Sequence, residues 1–460
     1  MKTLYFKIFS LISAGLLAVV CFAGCGKDGG LIKTGSSGDF IYGVYSDHTE
    51  IISYNGSGGE VAVPSKLGGK VLTSLGDFSF RGTAVTEVIL PDTLKSIGEE
   101  AFSNCTQLAS VIVPKGVTEI SSGAFSYCSE LTSVDMSAAT GLAVVSENVF
   151  FKCARLASVL MSDSVETISN AAFYDCVSLK EVGFGNGLKS VEKMAFCGCT
   201  ELEELLLPDS VEKIGESAFE GCTVLSRIDF GNGLKTVDTK AFYNCVGLNE
   251  VTLDDGLLSL KSGAFSKSGL LSISIPESVT ELEDAFSDCT ALCSVTLPSG
   301  MKKIPDNIFA GCASLSQITI PSGVTEIGAN AFNGCRSLLT PTVPDGVSKI
   351  GDYAFAGCVA IDTLTFSDNL KVIGDGAFSQ CILLSEINLG NGLETIGNEA
   401  FASCLKLKYI TLPSSVTTVG DGIFKSCSYL RIVTVLREQG SLDVGNWGVG
   451  YSIKWQPQAQ

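Results

Sequence analysis

A phenylalanine three residues ahead of a cysteine recurs along this chain at a nearly fixed distance. The cysteines stand at 105, 128, 153, 176, 199, 222, 245, 289, 312, 335, 358, 381, 404 and 427, and almost every interval is 23 residues. Phe80 and Phe265 keep the beat where the cysteine is missing. A period of this length marks one supersecondary unit copied about sixteen times. No copy is long enough to bury its own Leu, Val, Ile, Phe and Cys side chains, so the copies must stack and share one continuous apolar interior. A chain of 460 residues would otherwise suggest two or three domains. The repeat replaces that expectation with one elongated body.

Within a unit, as in Leu202 to Cys222 (LEELLLPDSVEKIGESAFEGC), short β-branched or leucine runs such as Val111-Ile112-Val113 and Ile318-Thr319-Ile320 predict a strand. A turn follows, written PDSV, PSGV or GNGL. The glycines flanking Asn186, Asn232 and Asn391 are read as residues that accept positive φ at this corner. The next piece, V-x-x-I-G, predicts a brief second strand ended by glycine. A-F-x-x-C is then expected to make about one helical turn, with Ala and Phe facing inward. Departures from the period fall in corners, which absorb length changes better than strands do. The interval from Cys128 to Cys153 gains two residues at Ala138 to Gly141, and that from Cys245 to Cys289 loses two in all.

These motifs resemble the BspA-like class of bacterial leucine-rich repeats, over about residues 39 to 435. The resemblance implies a repeat solenoid, α/β horseshoe-like but β-rich, with a parallel sheet, a short second strand and one helical turn per coil. It also implies a surface protein that binds other macromolecules, host matrix proteins among them, and no enzyme. Residues 39–83 resemble the N-terminal cap of such arrays, 84–435 form the solenoid, and 436–460, with Trp447 and Trp455, close the other end. Sixteen coils at the spacing of parallel strands stack to roughly 75 Å.

Residues 1–24 read as a lipoprotein leader: Lys2 and Lys7, an apolar run from Ile8 to Val20, then Phe22-Ala23-Gly24-Cys25, which resembles a bacterial lipobox with Cys25 as the lipidated residue. An ordinary cleaved signal or a membrane anchor is the alternative, and Cys21 is a poorer acceptor. Residues 25–38, rich in Gly and Ser, are read as a flexible tether. Together these place the protein in the cell envelope, held by lipid and facing outward.

Eighteen cysteines in an exported chain would ordinarily suggest disulfides. Here stacked coils would hold neighbouring Cβ atoms about 4.8 Å apart and parallel, whereas a disulfide needs about 3.8 Å and converging vectors. The cysteines are therefore expected to form a buried ladder of free thiols, each a weak donor to a corner carbonyl. The close pairs Cys197 with Cys199 and Cys289 with Cys293 lack metal-ligand spacing, so no metal and no cofactor is expected. Cys293 is the thiol expected at the surface. The single histidine, His48, sits in the cap beside Asp47 and reads as an exposed polar residue rather than a general base.

Strand alternation locates a binding face. One outward row reads Ser110, Ser133, Ser158, Glu181, Glu204, Arg227 and Glu250, continuing to Thr340, Thr363, Glu386 and Tyr409; the other contains Ile112, Asp135, Leu160, Leu206, Asp229, Thr342 and Thr365. Two zones are candidates: the acidic stretch Glu181, Glu204, Asp229 and Glu250, and the hydroxyl-rich stretch Thr340, Thr342, Thr363 and Thr365. Carboxylates one coil apart repel, a cost that a basic partner or a cation relieves. With 31 basic against 49 acidic residues, nucleic acid is excluded as a partner. The scarcity of outward aromatics argues against carbohydrate. The sequence thus predicts a monomeric, lipid-anchored, non-catalytic adhesin that binds protein. Its alternatives are an envelope lipoprotein that captures a polymer or solute, and a passive stalk.

Overall fold

A computed structural model describes residues 30–456. The leader reading, Cys25 included, lies outside the described residues. The chain forms a β-solenoid of about 18 turns. Each coil gives one strand to each of two parallel files. The first file includes Ser110–Ile112, Ser133–Asp135, Ser158–Leu160 and Glu181–Gly183, paired in register so that Val111, Val134, Val159 and Val182 line up. The second file carries two-residue strands, among them Val144–Val145, Thr167–Ile168, Ser190–Val191 and Lys213–Ile214. A central β-branched residue or leucine turns inward in each, and one contiguous core runs the length of the coil stack. The two extra residues at 138–141 lie in the turn between the files, with Ala139 buried.

The A-F-x-x-C segment differs from the expected helical turn. Among the described residues there is no helix. The residue before Ala and the residue before Cys are both left-handed, as Glu100 (φ 48) and Asn104 (φ 60) show beside Ala101, Phe102 and Cys105. This alternation points every second N–H along the solenoid axis. Glu100, Phe102 and Asn104 donate to the carbonyls of Ser122, Ala124 and Ser126 in the next coil, at 3.0, 2.7 and 2.8 Å. The intervening N–H groups of Ala101, Ser103 and Cys105 close local turns three residues back. A helix would spend all its donors within its own turn; here half of them bind coil to coil.

The glycine corners also have a different cause from the one expected. Gly231 and Gly390 have positive φ, but Gly185, Gly187, Gly233 and Gly392 do not. A Cβ on Gly187, Gly233 or Gly392 would fall on the carbonyl oxygen of Asp163, Asp209 or Asp368 in the preceding coil. Glycine is needed there for close approach. The corner is then pinned by side chains: the main-chain N–H and Nδ2 of Asn186 donate to Asp163 Oδ1 at 2.9 and 3.1 Å, and Asn232 repeats this on Asp209.

Two side-chain files run through the core. The rings from Phe80 to Phe424 stack coil on coil, with centroids 4.8 to 6.1 Å apart, close to the spacing of parallel strands and suited to offset stacking. Tyr54 extends the stack at one end, 5.0 Å from Phe80, and Tyr451 meets Phe424 edge-on at the other. Beside it stand the thiols. Each donates to the carbonyl of a phenylalanine on the preceding coil: Cys105 to Phe80 at 3.0 Å, Cys222 to Phe196 at 3.3 Å, Cys427 to Phe401 at 3.1 Å. The expected carbonyl partner is therefore the main chain that carries the neighbouring ring.

At the N-terminal end, Lys33–Ser37, read from sequence as part of a tether, is a strand paired antiparallel with Phe40–Val44. Gly38, with φ 57, occupies the first position of the two-residue turn. Phe40–Val44 pairs antiparallel with Thr49–Tyr54, which begins the parallel stacking against Lys70–Leu75. At the other end, Ser452–Trp455 pairs with Ile432–Val435, Trp447 is buried, and its carbonyl accepts the Phe424 N–H at 2.8 Å.

Burial raises the thiol pKa to about 11 in Cys105 and Cys427 and to about 12 in Cys335. A raised folded value means that the stabilisation is complete below the unfolded thiol value, near 9, and is lost as pH rises through the folded values. Denaturant midpoints measured under reducing conditions should hold up to about pH 8 and fall steadily between about pH 9 and 12. Phe219→Ala should lower stability by about 3–5 kcal/mol, read from equilibrium unfolding in urea.

Candidate functional site: the outward face of the first sheet

Because strand residues alternate, the first file buries Val111, Val134, Val159 and Leu205 and turns the residues on either side of each outward. Glu181, Glu204, Asp229 and Glu250 are all exposed. The structure does not gather them into one acidic patch. Glu204 lies directly opposite Arg227 in the parallel register, and the guanidinium reaches its carboxylate at 3.4 Å. Asp229 belongs to the other row, opposite Leu206, and its Oδ1 accepts the Gly231 N–H at 3.0 Å. Glu250 follows one coil on, where the first file has no strand pairing. Glu181 carries its charge without an ion-pair partner among the described residues. Arg227 interrupts the mutual repulsion, so a bound cation is not needed to relieve it at Glu204.

The hydroxyl zone is similarly placed. Thr340, Thr342 and Thr365 are exposed and Thr363 is half-buried. The Thr340 hydroxyl donates to Asp362 at 2.8 Å, which helps hold that carboxyl below its ordinary value. Thr342 meets Thr319 through an isolated parallel bridge, and Thr363 and Thr365 pair with Glu386 and Asn388. Thr340 and Thr363 therefore occupy equivalent positions on neighbouring coils.

The second sheet presents a different surface. Lys189 pairs with Glu166 at 2.9 Å, Lys235 with Glu212 at 3.0 Å, Lys213 with Glu192 at 3.5 Å and Lys349 with Glu326 at 3.3 Å. Charges of opposite sign follow one another from coil to coil, so this side is self-neutralised. A third file, at the turns, carries Tyr127, Phe151 and Tyr174; Phe151 and Tyr174 stack at 5.1 Å and cover one another's faces.

Aliphatic residues of the outward rows, of which the sequence reading named all but Ile89 without joining them into a run, complete the first-sheet face. Ile89, Ile112, Leu160 and Leu206 are large, apolar and exposed, and occupy the same position of their coils. Ile112 was legible as outward-facing, but the run was not, because Asp135 and Gly183 interrupt it. In the cap, His48 stacks on Tyr45 at 4.7 Å and its Nδ1 contacts Asp47 at 2.7 Å.

The repeat register and the coil geometry agree with a family comparison. The model of the BspA type leucine rich repeat region, six copies long, matches residues 73–203, 189–316 and 302–431. The chain belongs to the BspA-type leucine-rich repeat family. Among solved structures, a leucine-rich repeat protein from Bacteroides ovatus is similar over 93% of this chain and 98% of its own, with 21% identity and a TM-score of 0.59. A leucine rich cell surface protein from Faecalibacterium prausnitzii covers 92% of this chain and 94% of its own, at 18% identity and a TM-score of 0.36. The first likeness shows the fold. No curated protein matches the sequence.

Among the described cysteines, Cys293 is exposed, Cys197 is half-buried with burial raising its pKa to about 11, and the others lie in the core. Brief alkylation of native protein, mapped by mass spectrometry, should therefore modify Cys293 first among them. The ladder cysteines should react only after denaturation.

Proposed function

We propose that this protein is a non-catalytic, cell-surface binding protein that engages other proteins through the outward face of its first sheet. The reading rests on the contrast between its two sheets. On the second, lysines and glutamates on neighbouring coils pair with one another. On the first, aliphatic side chains stand exposed from Ile89 to Leu206 beside carboxylates such as Glu181 that have no ion-pair partner among the described residues, and exposed threonines follow farther along the same face, from Thr340 to Thr365. A surface that keeps apolar area in water is suited to a partner. BspA-type repeats are typical of surface proteins. An anchor at Cys25 fits the lipobox-like leader, and Glu181, Glu204, Asp229, Glu250, Thr340, Thr342, Thr363 and Thr365 are proposed as contact residues. The chain would act as a monomer without metal or cofactor. The acidic balance favours basic partners.

The test is a binding panel of matrix proteins, intact cells, glycans and small solutes against the purified full chain. Saturable protein binding is expected, weakened about tenfold by combined substitution of Thr340, Thr342, Thr363 and Thr365 with Lys. Thermal stabilisation by a glycan or solute, with no protein bound, would instead identify a capture lipoprotein. A blank panel would leave a stalk. Metabolic labelling with a fatty-acid analogue should tag the wild-type chain and not Cys25→Ser.

A further inference from the structure

The exposed aliphatic residues of the first sheet carry the function one step further. Ile89, Ile112, Leu160 and Leu206 are 58%, 68%, 51% and 48% exposed. They stand at one repeat position over six successive coils, from the Val85–Ile89 strand to the Glu204–Leu206 strand. Of the two interrupting positions, Asp135 turns its carboxylate to the Ser137 N–H at 2.9 Å. Gly183 leaves room into which Leu160 leans, since a Cβ there would lie 2.8 Å from Leu160 Cδ2. The aliphatic groups therefore form a ridge that runs along the solenoid axis.

Carboxylates border this ridge on both sides. Glu87, Glu181 and Glu204 belong to the adjacent outward row, Glu204 paired with Arg227 of the next coil, and Asp92, Asp163 and Asp209 stand exposed at the corners beyond it, Asp92 paired with Lys115. Among the described residues Glu87 and Glu181 have no ion-pair partner. An apolar ridge between acidic margins is complementary to a segment with an apolar stripe between basic margins.

Spacing selects the form of that segment. Coils repeat at about 4.8 Å along the ridge. An α-helix laid along the axis advances about 5.4 Å per turn, so each turn meets about one coil. A strand laid the same way repeats its side chains about every 6.8 Å and falls out of step. The ridge spans five coil intervals, about 24 Å, which a helix of about 16 residues covers.

We infer that the Ile89–Leu206 ridge is a docking surface for a cationic amphipathic helix of a partner protein. This rests on the reading of the first sheet as the binding face, and adds the chemistry and secondary structure of the partner.

The test uses three synthetic peptides of about 16 residues, long enough to follow the ridge. One is a helix with leucine on one face and lysine on the other, the second replaces its lysines with glutamate, and the third scrambles the leucine–lysine order so that no face forms. Affinity for the purified full chain is measured by fluorescence anisotropy at low and physiological salt. The lysine helix should bind best and weaken with salt. The double variant Ile112→Glu with Leu160→Glu should weaken it about tenfold or more, although it adds negative charge. That sign separates ridge docking from general attraction to an acidic protein, which the variant would strengthen. Glu181→Gln with Glu204→Gln should weaken it too. Both variants alter exposed side chains, and unchanged thermal melts would verify their fold.

The inference is overturned if the lysine helix binds no better than the scrambled peptide, or if the Ile112→Glu/Leu160→Glu variant binds it equally or more tightly. Should the peptides fail in this way while the panel proteins still bind and lose affinity on the threonine substitutions, only the helix inference falls. If neither binds, the sheet-face reading falls with it.

Discussion

Every second peptide group in the A-F-x-x-C arc donates to the next coil rather than to its own, and the remaining architecture depends on that choice. It holds successive coils at strand spacing even where no strand exists, as at Phe102 to Ala124 and Phe196 to Ala218. With the coils fixed at that distance, phenylalanine rings meet face to face. The thiols then lie within reach of the carbonyls that carry those rings. Cysteine suits the site because it is small and apolar, and because its weak donor can use a carbonyl lone pair that the backbone leaves over. Where Ser268 replaces it, the hydroxyl turns to Cys289 Sγ at 3.4 Å instead.

The same geometry separates structure from recognition. Side chains that point in are constrained by neighbours above and below, so they repeat faithfully; those that point out from the first sheet are constrained only by solvent and strand propensity, and vary from serine to leucine to glutamate. The second sheet is less free, because its two-residue strands bring Lys and Glu of neighbouring coils within ion-pair distance. Such exposed pairs contribute little stability each. Their effect is to balance charge locally along that sheet.

Much of the fold was legible because periodicity reports burial directly. The Phe and Cys files, both strands and the location of the length changes follow from spacing alone. The arc was misread as helical because A-F-x-x-C has helix-like spacing, and a single copy shows nothing of the donors that cross between coils. A signal was present: Asn104, Asp175, Asn244, Asp288, Gly198, Gly221 and Gly311 precede cysteine, residue types enriched at positive φ. The glycines beside Asn186 and Asn391 were read as positive-φ corners, but the contact that requires Gly187 and Gly392 lies in the preceding coil. For the face, alternation identified the outward rows. The rows already set Arg227 beside Glu204, but that the two side chains meet is a matter of side-chain geometry, and the ridge from Ile89 to Leu206 shows only once the exposure of each aliphatic residue is known.

The coil between Phe265 and Phe286 is two residues short, lacks the cysteine, and leaves the second sheet divided between Glu281–Leu282 and Lys303–Ile304. There the ring spacing widens to 5.8 and 6.1 Å from the 5.2 Å of the preceding coils. In a linear array each interface holds independently of distant ones. The second sheet is divided at both length changes of the repeat, here and between Glu119–Ile120 and Val144–Val145, so the neighbouring coils at each lean on the ring stack and the arc hydrogen bonds in place of strand pairing.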